Sequence, residues 1–349
     1  MPLQATRRIV RTLRGPRSQS IVPYDMFDAH QTAKELRSAR KLEGVYHKGQ
    51  AKVWDGKDLL AELVEKHGGV DLPPQQVEAI KRLFAVIFWG ELAAWKVSAE
   101  LALEIEPLEA KMAATSQAHD EARHFYVMHD YLSLLGYQPE QLPPAANRIL
   151  NEILQADCLA KKLVGMQLMV EPIALTLFQL VREANIEPVL CELLTYYERD
   201  EARHIALGVN YLPQLIKRMS VAQLVDFHIW QVRMFLIELD GVREMEQDFR
   251  ALGIDPRKAI RIGQTKQLHA GRLVTTQLGV SLPIEDLVTR VIEARMALDW
   301  PSEDAGTGRR DRLRRALAAL LHKTPGARKV QRNLDELMRS GQAPGVSAA

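Results

Sequence analysis

Five residues that occur twice decide how this sequence folds. Asp120-Glu121-Ala122-Arg123-His124 returns as Asp200-Glu201-Ala202-Arg203-His204, 80 residues later. In each copy a glutamate and a histidine stand three residues apart, which places both side chains on one face of a helix. Each copy also follows another glutamate, Glu91 or Glu171, that stands 30 residues before its own. Four carboxylates and two imidazoles in this arrangement form a ligand set for two metal ions.

The spacing predicts two helical hairpins. The stretch from Glu91 to the first copy is broken at its midpoint by Pro107, and the stretch from Glu171 to the second copy by Pro188. Proline is favoured at the first position of a helix, so each marks the start of a second helix. A chain that rises for about 15 residues, roughly 22 Å, and then descends as far returns to its starting level. Packed face to face, the hairpins bring all six groups to one level of a four-helix bundle.

Both leading glutamates lie in apolar sequence. Glu91 follows the stretch 84–90 (FAVIFWG), and Glu171 follows 165–170 (GMQLMV). A glutamate is rarely fully buried unless it is paired or bound to a metal. The alternative, in which these charged stretches are solvated helix faces with i,i+3 and i,i+4 ion pairs, is therefore disfavoured.

The pattern resembles the ferritin-like di-iron carboxylate proteins, in which two helices each contribute a glutamate and two others a Glu-x-x-His motif. The Asp-Glu-x-Arg-His form is most similar to bacterial multicomponent monooxygenase hydroxylases, with acyl-carrier-protein desaturases and ribonucleotide reductase small subunits as more distant relatives. The resemblance covers roughly residues 75–215. It implies an all-α, ferritin-like four-helix bundle with a di-metal core and additional flanking helices. It also implies six metal ligands, which are Glu91, Glu121, His124, Glu171, Glu201 and His204.

Two iron ions are the implied cofactor, with manganese or a mixed pair as the alternative. A metal-bound histidine usually donates its other ring N–H to a carboxylate. In the resembling hydroxylases the aspartate of one motif holds the histidine of the other. We therefore expect Asp200 near His124 and Asp120 near His204.

Two features beside the predicted ligands have structural consequences. Arg123 and Arg203 each follow their glutamate by two residues, about 200° around the helix, so we expect them to form ion pairs away from the metals. Pro172 directly follows Glu171 and removes one helical hydrogen bond. A kink or π-bulge at that point would let Glu171 move, whereas the alternative is that Pro172 only accommodates packing.

The resemblance predicts an oxygen-activating oxidoreductase, of the hydroxylase, oxygenase or desaturase type, that acts with dioxygen on a small apolar organic or acyl substrate. A radical-generating subunit is disfavoured, because that family has a tyrosine where this chain has Met128. The ligand pattern is also compatible with an iron-oxidising or storage protein and with a non-catalytic scaffold. The resembling hydroxylases carry a threonine at the position of Leu175, and Thr176 is predicted to lie off the face of the site. Without that threonine, single-component N-oxygenases and lipid oxidases stay open.

Composition limits the remaining classes. The chain has 349 residues and a net charge of +2, which indicates no general affinity for nucleic acid. Only Cys158 and Cys191 occur, so a fused four-cysteine electron carrier is excluded and a separate reductase or ferredoxin must supply electrons. So few cysteines suit a reducing compartment, which predicts a cytoplasmic protein. No apolar run is expected to reach the 18 or so residues of a membrane span.

The predicted organisation has four parts. Residues 1–73 form a basic arm with short helices, 74–252 the di-metal bundle, 253–322 helices packed on the bundle, and 323–349 a mostly flexible tail. The arginine-rich termini leave peripheral membrane contact open beside a simple solvated terminus. Long apolar helices favour a homodimer. The predicted helices are Gly56–His67, Gln75–Ile105, Pro107–Leu135, Asn147–Ala184, Glu187–Tyr211 and Ser220–Leu252.

Overall fold

The chain folds into α-helices. The computed structural model describes residues 33–279, 284–301, 308–321 and 324–340, and these residues contain no β-strand. The helices in chain order are α1 (Ala33–Ala51), α2 (Gly56–His67), α3 (Pro74–Glu104), α4 (Leu108–Leu134), α5 (Pro144–Leu154), α6 (Leu159–Leu163), the π-helical segment π1 (Val164–Val170), α7 (Glu171–Glu183), α8 (Pro188–Ile216), α9 (Val221–Glu244), α10 (Glu246–Ala251), α11 (Pro256–Leu278), α12 (Ile284–Asp299), α13 (Arg309–Leu321) and α14 (Pro325–Ser340).

Local sequence signals set most helix boundaries. Asp55 caps α2 by accepting hydrogen bonds from the backbone N–H groups of Lys57 and Asp58, and Gly68 ends the helix in the left-handed region with a φ of 75°. Glu187 caps α8 in the same way, and Pro188 takes the first helical position, where its missing N–H costs nothing. These signals explain why the predicted bounds of α2, α3, α4 and the start of α8 agree with the structure to within a residue.

The prediction of one helix from Asn147 to Ala184 is wrong. Helix α5 ends at Leu154, and the chain leaves helical geometry at Cys158, whose φ of −151° is extended. The break allows α5 to pack on α9 while α6, π1 and α7 pass through the interior beside α8. Periodicity alone cannot reveal such a break, because the apolar pattern continues through it.

Two antiparallel hairpins surround the interior. Helices α3 and α4 pack against each other, and the second hairpin is formed by π1 and α7 with α8. The hairpins meet through contacts of α4 with α8 and of α3 with π1. The core between them is apolar and aromatic, and Phe84, Tyr131, Phe178 and Tyr197 are among its largest fully buried side chains. Burial of each such side chain stabilises the fold by about 1.5–3 kcal/mol.

The C-terminal helices pack on these hairpins, and one compact unit begins at Ser38. Helix α11 lies across π1, α7 and α8. Its Lys266 Nζ donates to the Leu175 carbonyl over 2.9 Å, and its Gln277 amide donates to the Val209 carbonyl over 3.0 Å. Such bonds from side chains to carbonyls fix the position of α11 along the hairpin.

The predicted flexible tail is wrong for most of its length. Pro325–Ser340 form helix α14, which buries Ala327, Val330 and Leu334. Arg272 on α11 also pairs with Asp335 at 2.8 Å, which ties α14 to the rest of the fold. The predicted basic arm at 1–32 and the last residues, 341–349, lie outside the described part of the chain.

The expectation that no apolar segment approaches the length of a membrane span is also wrong. The segment Leu159–Glu183 is long and apolar enough to cross a membrane by length and composition. Within the structure 83% of its most apolar window is buried. The apolar character of this segment is therefore accounted for by its central place in the protein core, beneath α8 and α11.

Candidate metal centre

Six side chains from the two hairpins converge in the core. Helix α3 contributes Glu91, α4 contributes Glu121 and His124, α7 begins with Glu171, and α8 contributes Glu201 and His204. None of the six is more than 5% exposed. The residues predicted from the repeated motif are thus brought to one buried level, as the 30-residue spacing requires.

The six side chains form two overlapping groups. Glu91, Glu121, His124 and Glu201 make one group whose ligand atoms lie within 4.8 Å of one another. Glu121, Glu171, Glu201 and His204 make the second group within the same limit. Glu121 and Glu201 belong to both groups. A carboxylate has two oxygens, so each shared glutamate can offer one oxygen to either side.

Distances from the histidines show that both rings face the carboxylates. His124 Nδ1 lies 3.4 Å from Glu201 Oε1 and 3.5 Å from Glu121 Oε2. His204 Nδ1 lies 3.1 Å from Glu121 Oε1 and 3.1 Å from Glu201 Oε2. Each ring therefore directs one nitrogen to the interior of the site and leaves Nε2 for a second partner.

The second nitrogen of each ring meets the aspartate of the other motif. His124 Nε2 lies 3.3 Å from Asp200 Oδ2, and His204 Nε2 lies 3.4 Å from Asp120 Oδ2. These are the crossed contacts expected from the sequence. An aspartate at Nε2 keeps a proton on that nitrogen, so Nδ1 is left with a free lone pair directed at the glutamates.

Two arginines close a buried ring with the aspartates. Arg123 Nη2 lies 2.6 Å from Asp120 Oδ1 and 2.9 Å from Asp200 Oδ2. Arg203 lies 2.8 Å from an oxygen of each aspartate. Both arginines are thus ion-pair residues behind the histidines, as predicted. Trp54, from the loop between α1 and α2, adds a 2.8 Å hydrogen bond from Nε1 to Asp200 Oδ2.

The charges of the site do not cancel without further cations. Two aspartates and two arginines neutralise each other, which leaves the four glutamates as uncompensated buried acids. Isolated ionised carboxylates are expensive to bury, so they bind cations or take up protons. Two divalent cations carry the four positive charges that would balance four carboxylates.

Without a cation, the pKa values shift in the direction that reduces this charge. Burial raises the pKa of Glu91 and of Glu171 well above the usual range of a carboxyl group. Burial opposes protonation of His124, but its hydrogen bond to Asp200 and the nearby glutamate carboxylates raise its pKa well above the ordinary value. Burial also opposes ionisation of Glu121, yet His204 and His124 hold its pKa well below the usual range. Protons thus occupy the place that cations would take.

Several atoms in the site have no hydrogen-bond partner among the described residues. These atoms are Glu121 Oε2, Glu171 Oε2 and His124 Nδ1. Buried polar atoms are almost always hydrogen-bonded, so orphaned atoms at one place need an explanation. All three are metal-ligand atom types on residues of the two groups, and metal ions bound there would supply the missing partners.

The chain beside Glu171 departs from α-helical geometry. Segment π1 ends immediately before Glu171, whose backbone N–H bonds to the carbonyl of Met166, five residues earlier. Pro172 follows and has no N–H to donate. The expected kink or bulge is therefore present as a π-helical segment. The wider turn frees the backbone at Glu171 from regular i→i−4 hydrogen bonding.

The side-chain amides of Gln117 and Gln167 make the site asymmetric. Gln167 was not predicted from the sequence, because it has no counterpart in the repeated motif. Gln117 Nε2 donates to Glu171 Oε1 over 2.7 Å and to Glu121 Oε1 over 3.0 Å. Gln167, in π1, donates in turn to Gln117 Oε1 over 3.2 Å. At the position in α8 that corresponds to Gln117 stands Tyr197, which stacks on the His124 ring with 4.2 Å between centroids and donates to the His124 carbonyl over 2.7 Å.

An apolar cavity of about 170 Å³ adjoins the site. Glu91, Glu121, Glu171 and Glu201 form part of its wall, and most of the remainder is supplied by α3, α5, π1, α7, α9 and α11. Thr176, which the sequence predicts to lie off the ligand face, also lines this cavity. The hydroxyl of Thr176 donates to the Pro172 carbonyl over 2.7 Å.

No protein-family model matches the chain, and no curated protein matches it.

Proposed function

We propose that this chain is a ferritin-like di-iron oxidoreductase that activates dioxygen to oxidise an apolar organic substrate. The observation that carries the proposal is the contact between two features: a buried pair of four-ligand groups and an apolar cavity whose wall includes four of the ligands. A site for metal alone needs no adjoining apolar space. A substrate pocket needs an apolar wall with a few polar groups at the reacting end.

The residues fit two metal ions in number, type and charge. Glu91 and His124 would hold one ion and Glu171 and His204 the other, and Glu121 and Glu201 belong to both ligand groups. Carboxylate and imidazole ligands suit iron and manganese, and the sequence pattern favours iron. Two iron ions bound there would supply the redox chemistry by which dioxygen is activated.

The chain's own groups position the site and keep water out. Asp120 and Asp200 fix the orientation and proton position of the two histidines through Nε2. The amide of Gln117 holds Glu121 and Glu171 by donating to both. The apolar cavity wall excludes bulk water from the reacting end, which strengthens every charge interaction there.

The proposal extends to partners and location. Only two cysteines occur in the chain, so the electrons would come from a separate reductase or ferredoxin. A cytoplasmic homodimer remains our proposal for the assembly, with peripheral membrane contact through the basic termini as the alternative. Iron oxidation or storage without an organic substrate is disfavoured, because ions need a polar route to the site and the adjoining cavity is apolar.

Metal content and oxygen reactivity test the proposal. We expect about two irons per chain, the number of overlapping ligand groups. The reduced protein should react with dioxygen, and a transient optical intermediate should decay faster when an apolar additive is present. Glu121→Ala should lose metal and activity while it stays folded, whereas Glu109→Ala on the same helix should retain both.

Three results would refute it in different ways. Normal binding of two irons by Glu121→Ala would show that the ligand assignment is wrong. Two irons with no reaction toward dioxygen would move the function to a structural role. A reaction with dioxygen that no additive accelerates would favour iron oxidation or radical generation.

A further inference from the structure

The cavity beside the metal site contains polar groups that the proposed oxygen chemistry does not use. Glu238 on α9 and Gln264 on α11 line it together with the apolar residues. Glu238 Oε1 is inaccessible to solvent and has no hydrogen-bond partner among the described residues. Gln264 is 2% exposed, and neither its amide nitrogen nor its amide oxygen has a partner within that part of the chain.

Gln267 brings these groups together. Its Nε2 donates to Glu238 Oε2 over 2.9 Å and to the Met169 carbonyl over 3.1 Å. Gln264 precedes Gln267 by three residues on α11, so both side chains lie on one helix face, about 5–6 Å apart at Cβ. One oxygen of Glu238 is thus fixed, and the other is left without a partner, as are both amide atoms of Gln264 in the same cavity wall.

Unsatisfied buried groups of this kind need a hydrogen-bond partner, which ordered water or a bound ligand can supply. An orphaned buried donor or acceptor costs about 1–3 kcal/mol in desolvation, and here three such atoms share one cavity. An apolar pocket with a few unsatisfied polar groups is the usual form of a small-molecule site. The orphaned atoms therefore mark where the polar group of a ligand binds.

The charges of the cavity wall determine which kind of polar group a ligand can place there. Among the described residues that line it, every ionisable side chain is a glutamate, and lysine, arginine and histidine are absent. Once the metal site is filled, Glu238 is the one acid in this described lining that no cation balances. Burial raises the pKa of Glu238 to about 8, and a positive charge beside it would favour its ionised form.

We propose that the cavity binds an apolar primary amine, whose ammonium group is held by Glu238 Oε1 with the Gln264 amide oxygen as a second acceptor. The hydrocarbon part then lies against the apolar wall, toward the proposed metal ions. A carboxylate such as a free fatty acid is disfavoured, because it would face an acid with no compensating cation. This inference rests on the proposed function, since it names the substrate class of the same site.

Binding measurements under anaerobic conditions test the inference separately from oxygen chemistry. The metal-loaded full chain is titrated by calorimetry with n-octylamine, 1-octanol and octanoate, which share one hydrocarbon chain. We expect octylamine to bind about tenfold or more tightly than octanol, because charge-assisted hydrogen bonds are about twice as strong as neutral ones. Octanoate should bind more weakly than octanol.

Two variants identify the residue responsible. Glu238→Gln keeps the shape of the side chain and should reduce octylamine affinity by about tenfold or more, while octanol affinity is retained. Asp226→Asn is the control, because it removes a carboxylate from the same helix but the Asp226 side chain is 64% exposed. It should change neither the octylamine affinity nor the octanol affinity. If Glu238→Gln does not fold, Gln264→Leu takes its place and should weaken octylamine binding several-fold.

The outcomes separate this inference from the proposed function. Octanoate binding as tight as octylamine, or an unchanged octylamine affinity in the folded Glu238→Gln protein, would overturn it even if oxygen chemistry is found. Selective octylamine binding that depends on Glu238 would support the amine site even if the protein failed to react with dioxygen.

Discussion

Replacing Asp200 with asparagine tests the buried ring behind the histidines. Asp200 is fully buried, and its Oδ2 accepts from Trp54 Nε1 and Arg123 Nη2 while Oδ1 contacts Arg203. Asparagine has the same shape but only one acceptor oxygen. Whichever way the amide is placed, its NH₂ group faces a guanidinium donor, and the ring keeps an unbalanced positive charge.

The expected loss is large because the ring is buried. Removing one partner of a buried ion pair costs about 3–5 kcal/mol. At about 2.1 cal/mol/K per residue, this 349-residue chain has an unfolding entropy of about 0.7 kcal/mol/K, so a loss of about 3 kcal/mol lowers the Tm by roughly 4 °C. His124 also loses a charged partner at Nε2, so metal affinity should fall about 10–100-fold.

The pH dependence of this loss has a definite sign. Burial opposes ionisation of Asp200, but His124, Arg203 and Trp54 outweigh that effect and hold its pKa well below the usual range. A carboxyl with a lowered pKa stabilises the fold above its unfolded pKa, about 3.9, and that stability is lost as the pH falls toward the folded value. The difference in Tm between the variant and the native protein is therefore full at pH 7 and narrows below about pH 4.

Thermal unfolding of the metal-free proteins, followed by circular dichroism, measures the loss of stability. Metal titration measures the loss of metal affinity. Asp130→Asn is the control, because that side chain lies on α4 and is 47% exposed, so its change should stay within about 0.5 kcal/mol. An Asp200→Asn protein with a native Tm and native metal affinity would refute the idea that the ring supports the site.

Two further predictions concern the metal ligands. Glu91→Ala should retain one metal ion per chain, because the group of Glu121, Glu171, Glu201 and His204 is left complete. If metal analysis shows that the variant retains two ions or loses both, the two ligand groups do not bind separate ions. Metal binding to the metal-free protein at pH 7 should release protons and strengthen as the pH rises, because burial raises the pKa of Glu91 and Glu171 and these protons must leave. Metal titration in weakly buffered solution with a pH indicator measures the release of protons. Metal binding without proton release would show that the glutamates are already ionised.

Much of the candidate site can be predicted from the sequence, because it depends on spacings within single helices and hairpins. Glu121 and His124 share a helix face through a three-residue spacing, and a 30-residue interval with Pro107 at its midpoint returns Glu121 to the level of Glu91. Helix geometry alone carries both steps. The crossed contact of Asp200 with His124 is expected from resemblance, and the structure contains it.

The remaining parts depend on packing between segments distant along the chain. Trp54 reaches Asp200 across 146 residues, and Gln167 reaches Gln117 across 50. Neither pair has a spacing that a periodic pattern could reveal. The place of Thr176 in the cavity wall likewise depends on how α7 packs on α11, which the spacing from Glu171 does not determine.

Charge explains why the two polar regions of the core have different roles. In the ring behind the histidines, Asp120 and Asp200 meet Arg123 and Arg203, so every charge is balanced within the chain and nothing more need bind. The glutamates between the hairpins and Glu238 in the cavity lack such partners, and burial raises the pKa of Glu238, Glu91 and Glu171. This fold balances one set of buried acids and leaves another unbalanced, and we propose that it binds cations at the second set. Metal ions at the glutamates and an ammonium group at Glu238 are the two cations that this arrangement favours.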